Sequence, residues 1–258
     1  ETTAEAPFGE TIHIALRKAQ DLRYGENPHQ KAALYGRFFD VVEQLHGKEL
    51  SYNNIMDTNA ALWLMREFVA EPPTVAILKH NTPCGVASGA SVAAAYQAAY
   101  ATDPESPFGG ILIANREWTL ELSRIVDEIF TEVLIAPSFA PDALEFLKKK
   151  KNRRLMIWKP QAMESSVRET RSVVGGLLVQ DTDRAMEDVA GAEVKTKRQP
   201  TADELAALAF GLKVVKHVKS NAIAFVKKDR TLALGGVYAW STLVADHSLV
   251  SPPHVLTR

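Results

Sequence analysis

Four short apolar runs constrain this chain more than any other feature: Thr74-Val-Ala-Ile-Leu78, Ile111-Leu-Ile-Ala114, Val133-Leu-Ile-Ala136 and Leu155-Met-Ile-Trp158. Each has the length of a strand but not the alternation of a strand with one wet face, so each calls for cover on both sides. Between them lie segments of helical period. Ala60, Ala61, Leu64, Met65 and Phe68 follow Thr58 or Asp57 as a cap, and Leu122, Ile125, Val126, Ile129 and Phe130 repeat the pattern. Strand and helix in alternation predict an α/β layer structure around a largely parallel sheet, with ligands at the strand C-terminal ends. With 46% of its 258 residues hydrophobic, the chain has material for such a core.

Beyond Trp158 the pattern changes. Lys159 to Glu169 is polar and irregular and reads as a linker, and Ser172 to Val179 resumes as one extended apolar run. Thr201-Ala-Asp-Glu204 is a capping box that opens a helix through Leu205, Leu208, Leu212 and Val215, ending near Ser220. Ala222 to Val226, a polar turn over Lys227 to Arg230, and Thr231 to Leu234 predict a β-hairpin.

Charge narrows the function classes. Thirty Lys and Arg against 31 Asp and Glu give a net charge of −1, so no overall basic field steers nucleic acid or an acidic membrane surface toward the chain. No run approaches the roughly eighteen apolar residues of a membrane span, and the first ten residues lack a signal pattern. The expectation is a cytoplasmic chain that binds neither nucleic acid nor membrane. A single cysteine, Cys84, makes neither an internal disulfide nor a multi-thiolate zinc site.

The sharpest chemical signal is Leu78-Lys79-His80-Asn-Thr-Pro83-Cys84-Gly85, where a buried strand ends in an ammonium and an imidazole and then breaks. Lys79 can stabilise developing negative charge and His80 can accept a proton at neutral pH; the alternative is a surface loop with ordinary charges. His80 with Pro83-Cys84 faintly suggests a deaminase zinc motif, but no acid follows two residues after His80 and no second cysteine exists, so no metal is expected. Leu22-Arg23-Tyr24-Gly25-Glu26-Asn27-Pro28-His29-Gln30 has the composition of a binding loop, in which Arg23 can fork onto a phosphate and Tyr24 can stack. A self-satisfied structural turn would read the same way. Ser51 to Asn54 precede the helix expected near Thr58, where anions bind readily, although simple capping by Asp57 explains them equally. Asp103 to Gly110 offers a carboxylate and a close backbone approach, or only a glycine turn. Lys213, Lys216 and His217 read as a solvated helix end, Lys148 to Arg154 as an exposed one, and Asn221 as a C-cap or a neutral amide for a reaction centre.

Taken in order, RYGENPHQ, SYNNIMDTNAALWL, LKHNTPCGVA, TDPESPFGGILIANRE and VVKHVKSNAI resemble, over about residues 11–234, one domain of the bifunctional purine-synthesis family. That family joins an IMP cyclohydrolase to a 5-aminoimidazole-4-carboxamide ribonucleotide (AICAR) formyltransferase, and the likeness is to the transformylase domain. The resemblance implies a cytidine-deaminase-like three-layer α/β fold without zinc. It implies two similar subdomains: residues 11–160, an incomplete second one over 172–236, and then a divergent segment, 237–258. It further implies a homodimer with active sites at the interface, AICAR and 10-formyltetrahydrofolate as substrates, and no metal. By the same resemblance Lys79, His80 and Asn221 are catalytic, while Arg23, Tyr24, Asn54 and Asp103 bind the ribonucleotide.

Two departures qualify that likeness. The cyclohydrolase domain is missing from this sequence, and after Gly235-Gly236 the family's glycine–glutamine–serine–arginine segment is replaced by Val237-Tyr-Ala-Trp240. The later folate-pocket segments do not follow, so a second expectation stands beside formyl transfer: an inactive nucleotide-binding or subunit-pairing fragment.

Overall fold

The computed structural model describes residues 8–165, 168–186, 188–236 and 254–257. The chain opens with an antiparallel ribbon, β1 (Lys18–Leu22) and β2 (Ala32–Tyr35), followed by a short helix, α1 (Phe38–Val41), and β3 (Val42–His46). There follow α2 (Tyr52–Arg66), β4 (Thr74–Lys79), β5 (Thr82–Ser88), α3 (Val92–Tyr100), β6 (Gly110–Ala114), α4 (Leu120–Val126), β7 (Thr131–Ala136), α5 (Pro141–Lys148) and β8 (Arg154–Trp158). Six strands form one sheet in the order β3-β8-β7-β6-β4-β5.

That sheet is mixed, which corrects the largely parallel expectation. Only β6–β7 and β7–β8 run parallel; β3–β8, β4–β6 and β4–β5 are antiparallel. The four apolar runs are the strands β4, β6, β7 and β8. Their alternate residues supply two cores, one on each face. Ala76, Leu78, Ile111, Ile113, Val133, Ile135, Met156 and Trp158 face α2, and Val75, Ile77, Leu112, Ala114, Leu134, Ala136 and Leu155 face α3, α4 and α5. Burying each valine, leucine, isoleucine or methionine among them stabilises the fold by about 1.5–3 kcal/mol.

Several element boundaries differ from expectation. α2 begins at Tyr52, not near Thr58, because Ser51 caps it: the Asn54 N–H donates to Ser51 Oγ at 3.2 Å while Asn54 Oδ1 accepts from the Ser51 N–H. Neither Asp57 nor Thr58 is a cap. α4 is capped by Thr119 and stops at Val126, leaving Ile129 and Phe130 in the turn that follows. The expected linker holds a 3-10 helix, Pro160–Ser165, whose Met163 joins the core. The run Ser172 to Val179 is not one strand but a hairpin of β9 (Arg168–Val173) and β10 (Gly176–Asp181), turning where Gly175 takes φ 80°, which a glycine adopts without steric penalty.

The last helix, α6 (Ala202–Val215), carries the expected capping box, with the Glu204 N–H donating to Thr201 Oγ1 at 3.3 Å. It packs against the turn that follows α2, Phe210 on Phe68 with ring centroids 5.4 Å apart. The hairpin of β11 (Ala222–Val226) and β12 (Thr231–Gly236) is present as expected, and β13 (His254–Thr257) pairs with β11 on its other side. Residues 237–253 of the divergent segment lie outside the described residues. Among the described residues no helix is long and apolar enough to cross a membrane.

Candidate active site

β4 and β5 are joined by two residues only, since Lys79 pairs with Thr82. His80 and Asn81 both take left-handed backbone angles, φ 53° and 63°, the geometry of a tight hairpin turn whose twist suits flanking strands. The sequence therefore does not break after His80. It reverses, and Pro83 is tolerated because β5 is the edge strand. β4 is antiparallel to β6, so this turn lies at the N-terminal ends of the parallel strands β6, β7 and β8, not at the C-terminal ends that parallel topology suggested. Gly110 makes the approach possible: a Cβ there would come within 2.7 Å of the Leu78 carbonyl oxygen.

Lys79 and His80 line a cavity of about 500 Å³ together with Cys84, Asp103, Glu105 and Leu234. The Asp103 carboxylate organises its own loop, accepting from the Glu105 and Ser106 N–H groups at 3.1 and 3.0 Å and from the Ser106 hydroxyl. Thr102 pins this loop to β12 by donating to the Thr231 carbonyl at 2.9 Å. Burial, with Asp103 nearby, pushes the Cys84 thiol up to about 11 against the pull of Lys79, so it stays a neutral wall of the cavity rather than a nucleophile.

On the other side of the turn, the Asn81 N–H donates to Asp57 Oδ1 of α2 at 2.7 Å. Burial raises the proton affinity of Asp57, opposed by that hydrogen bond and by His80 and reinforced by Glu132. A second cavity, about 1140 Å³, opens on this flank and is lined by Asn81, Met56, Trp63, Arg171, Lys219 and Ser220 among others. Asn221 lines neither cavity. It follows Ser220 at the start of β11 and accepts the Ser220 hydroxyl at 2.8 Å; it is not the helix C-cap, which is Lys216.

Arg23 and Tyr24 lie in the loop of the separate β1–β2 ribbon, and Asn54 lies on α2, where it reaches the N-terminal edge of β7 at Glu132. The loop between β1 and β2 is closed by its own bonds, the Gly25 N–H donating to the Gln30 carbonyl and the Asn27 N–H to Gln30 Oε1, both at 2.8 Å. Arg23 is exposed, with its guanidinium carbon 5.8 Å from the centroid of the Tyr24 ring. Asn54 is only 5% exposed and is used up by its capping box and by donating to Glu132 Oε2 at 2.9 Å. Glu132 also meets Arg154 at 3.7 Å, and burial pushes that guanidinium below its ordinary range against the pull of Glu132 and Tyr24. The structure thus gathers Lys79, His80 and Asp103 at one cavity and leaves Arg23, Tyr24, Asn54 and Asn221 outside it.

Sequence reasoning missed Asp57, Glu132 and Arg154 as members of this edge. It also misplaced two basic groups. Arg153 is not on an exposed helix end: its side chain is 2% exposed and donates to Asp127 at 2.9 Å. Lys216 and His217 are not a solvated face but partly buried partners of Glu67, at 2.9 and 3.4 Å.

A layered α/β domain in which an ammonium, an imidazole and a carboxylate line one cavity has the form of a small-molecule-binding domain. Residues 1–237 match the family model for the AICARFT/IMPCHase bienzyme, and the chain belongs to that family. It is similar to the bifunctional purine biosynthesis protein PurH of Chloroflexus aurantiacus, 54% identical over 230 residues that cover 89% of this chain and 45% of that protein. PurH of Bacillus cereus is 49% identical over 88% of the chain, and PurH of Pelodictyon phaeoclathratiforme 47% identical over 86%. The chain spans less than half the length of these relatives, 45%, 45% and 44% respectively.

Proposed function

We propose that this chain carries the formyl-transfer chemistry of its family, moving a formyl group from 10-formyltetrahydrofolate to the 5-amino group of AICAR. The single observation that carries the reading is the convergence of Lys79, His80 and Asp103 on one cavity at the β4–β5 turn. An aromatic amine is a weak nucleophile, so its attack needs a base and stabilisation of the oxyanion that forms. The amine nitrogen bonds to the formyl carbon while His80 takes its proton. The bond from that carbon to folate N10 then breaks, and the proton passes to the departing nitrogen. Lys79 stabilises the charge on the formyl oxygen or on N10, and Asp103 orients the heterocycle and ribose. Two cavities flanking one turn support a reaction of two substrates. Asn221, beside the wall of the larger cavity at Ser220, is assigned to polarising the formyl group.

Arg23, Tyr24 and Asn54 are assigned to the ribonucleotide phosphate and ribose. None of the three lines the cavity of Lys79 and His80 within one chain, which supports a site completed by a second copy, the homodimer that the family resemblance implies. We assign the three layers to the cytidine-deaminase-like fold, with subdomains over 11–160 and 172–236, and the chain to the cytoplasm.

The test is formyl transfer by this chain from 10-formyltetrahydrofolate to AICAR. His80→Ala is expected to lower turnover by about a hundredfold or more; equal rates in the two proteins would remove His80 as the base. Arg23→Ala is expected to weaken AICAR binding with little change in kcat. Mixing it with His80→Ala should restore about a quarter of wild-type sites, because half the mixed dimers' sites carry both intact residues. An unaltered AICAR affinity would remove Arg23 as an anchor.

A further inference from the structure

We infer that Asp57 is the positioning residue for His80: its carboxylate holds the His80–Asn81 turn in the left-handed conformation that delivers the imidazole to the cavity. The inference rests on the assignment of His80 as the base. Two consecutive non-glycine residues with positive φ are unusual, and an L side chain there is sterically disfavoured relative to a right-handed backbone. A two-residue hairpin turn bonds across its flanking pair, Lys79 and Thr82, and leaves the inner Asn81 N–H without a partner in the hairpin. Asp57 Oδ1 takes that donor at 2.7 Å, a short charge-assisted bond.

The acceptor is rigid because α2 is rigid. Ala61, Leu62, Leu64 and Met65 of this helix are buried in the core beneath β4 and β6, so the carboxylate cannot drift from the turn. The groups acting on it are the Asn81 amide and His80 from the turn and Glu132 from β7. Burial and Glu132 together disfavour its ionised form. The folded pKa lies above the unfolded value near 3.8, so the stability cost is absent below that value, grows through the window between the two, and is complete above the folded pKa. At neutral pH an ionised Asp57 therefore costs the fold stability while it holds the turn.

Asp57→Asn and Asp57→Ala separate these roles in the whole chain. Asn keeps an oxygen for the Asn81 N–H and removes the charge, so Asp57→Asn is expected to melt no lower than wild type at neutral pH and to transfer formyl within about threefold of the wild-type rate. Asp57→Ala removes the acceptor and is expected to lower kcat by about tenfold or more with KM for AICAR nearly unchanged, since a displaced base affects the chemical step and not binding. In wild type the Asn81 amide proton should titrate with Asp57, at a midpoint above the ordinary carboxylate range, and this titration should vanish in Asp57→Asn. A non-titrating Asn81 amide, or a wild-type kcat in Asp57→Ala, overturns the inference. If the wild-type chain transfers no formyl group, the proposed function falls and NMR decides this inference alone: because both substitutions remove the charge that faces His80, a displacement of the His80 ring and Asn81 amide resonances that is larger in Asp57→Ala than in Asp57→Asn supports it, and equal resonances in the two variants overturn it.

Discussion

Among the described residues two hairpins have two-residue turns, and they meet the same geometric demand in opposite ways. The β9–β10 hairpin turns at Val174 and Gly175, places the positive φ on glycine, and leaves Val174 and Leu178 in solvent. The β4–β5 hairpin turns at His80 and Asn81, places positive φ on both, and has no glycine. Its flanking strand is buried on both faces, and its inner amide is tied to a carboxylate 24 residues away. Where only a reversal is needed, the residue with no steric penalty sits in the turn. Where a side chain must be presented at a defined point, the strain is accepted and the surroundings hold it.

Substitutions at matched positions sharpen this contrast. The largest expected effect is at His80→Gly, which relieves the backbone and removes the imidazole: formyl transfer falls by about a hundredfold or more while the melting temperature does not drop. A lower melting temperature would mean that the turn is not strained. Next, Leu78→Ala at the foot of the β4–β5 hairpin should cost about 2–5 kcal/mol in denaturant unfolding, whereas Leu178→Ala, at a position 61% exposed, should stay within about 0.5 kcal/mol. The smallest pair tests the turns themselves. Asn81→Gly is expected to stabilise by up to about 1 kcal/mol and Gly175→Ala to destabilise by about 1 kcal/mol, and equal signs would erase the distinction between the two turns.

Much of the sheet could be read from the sequence because β4, β6, β7 and β8 are covered on both faces and so are continuously apolar. β5 could not: Thr82-Pro83-Cys84-Gly85 carries the signals of a break, and only the edge position and the glycine-free turn explain why the strand continues. The sheet's mixed character followed from that misreading, since a missed hairpin hides an antiparallel strand. The start of α2 was obscured because asparagine, not the usual glutamate or glutamine, completes its capping box. Lys79, His80 and Asp103, which line one cavity, stood out as candidates because each sits in a short segment with its own signal. Asp57 was not, because its partner is Asn81, and Arg153 was not, because the aspartate that permits its burial is Asp127. Long-range polar pairs leave no periodicity to detect.

The most direct measurement is a titration of the isotopically labelled chain with AICAR, followed through its backbone amide resonances. The proposed site predicts that amide signals of residues 79–82 and 84, and of residues 102, 103, 105 and 106, move together with saturation, while those of residues 173–176 in the other turn stay fixed. Saturable binding that leaves the signals of residues 79–82, 84, 102, 103, 105 and 106 unmoved would contradict it.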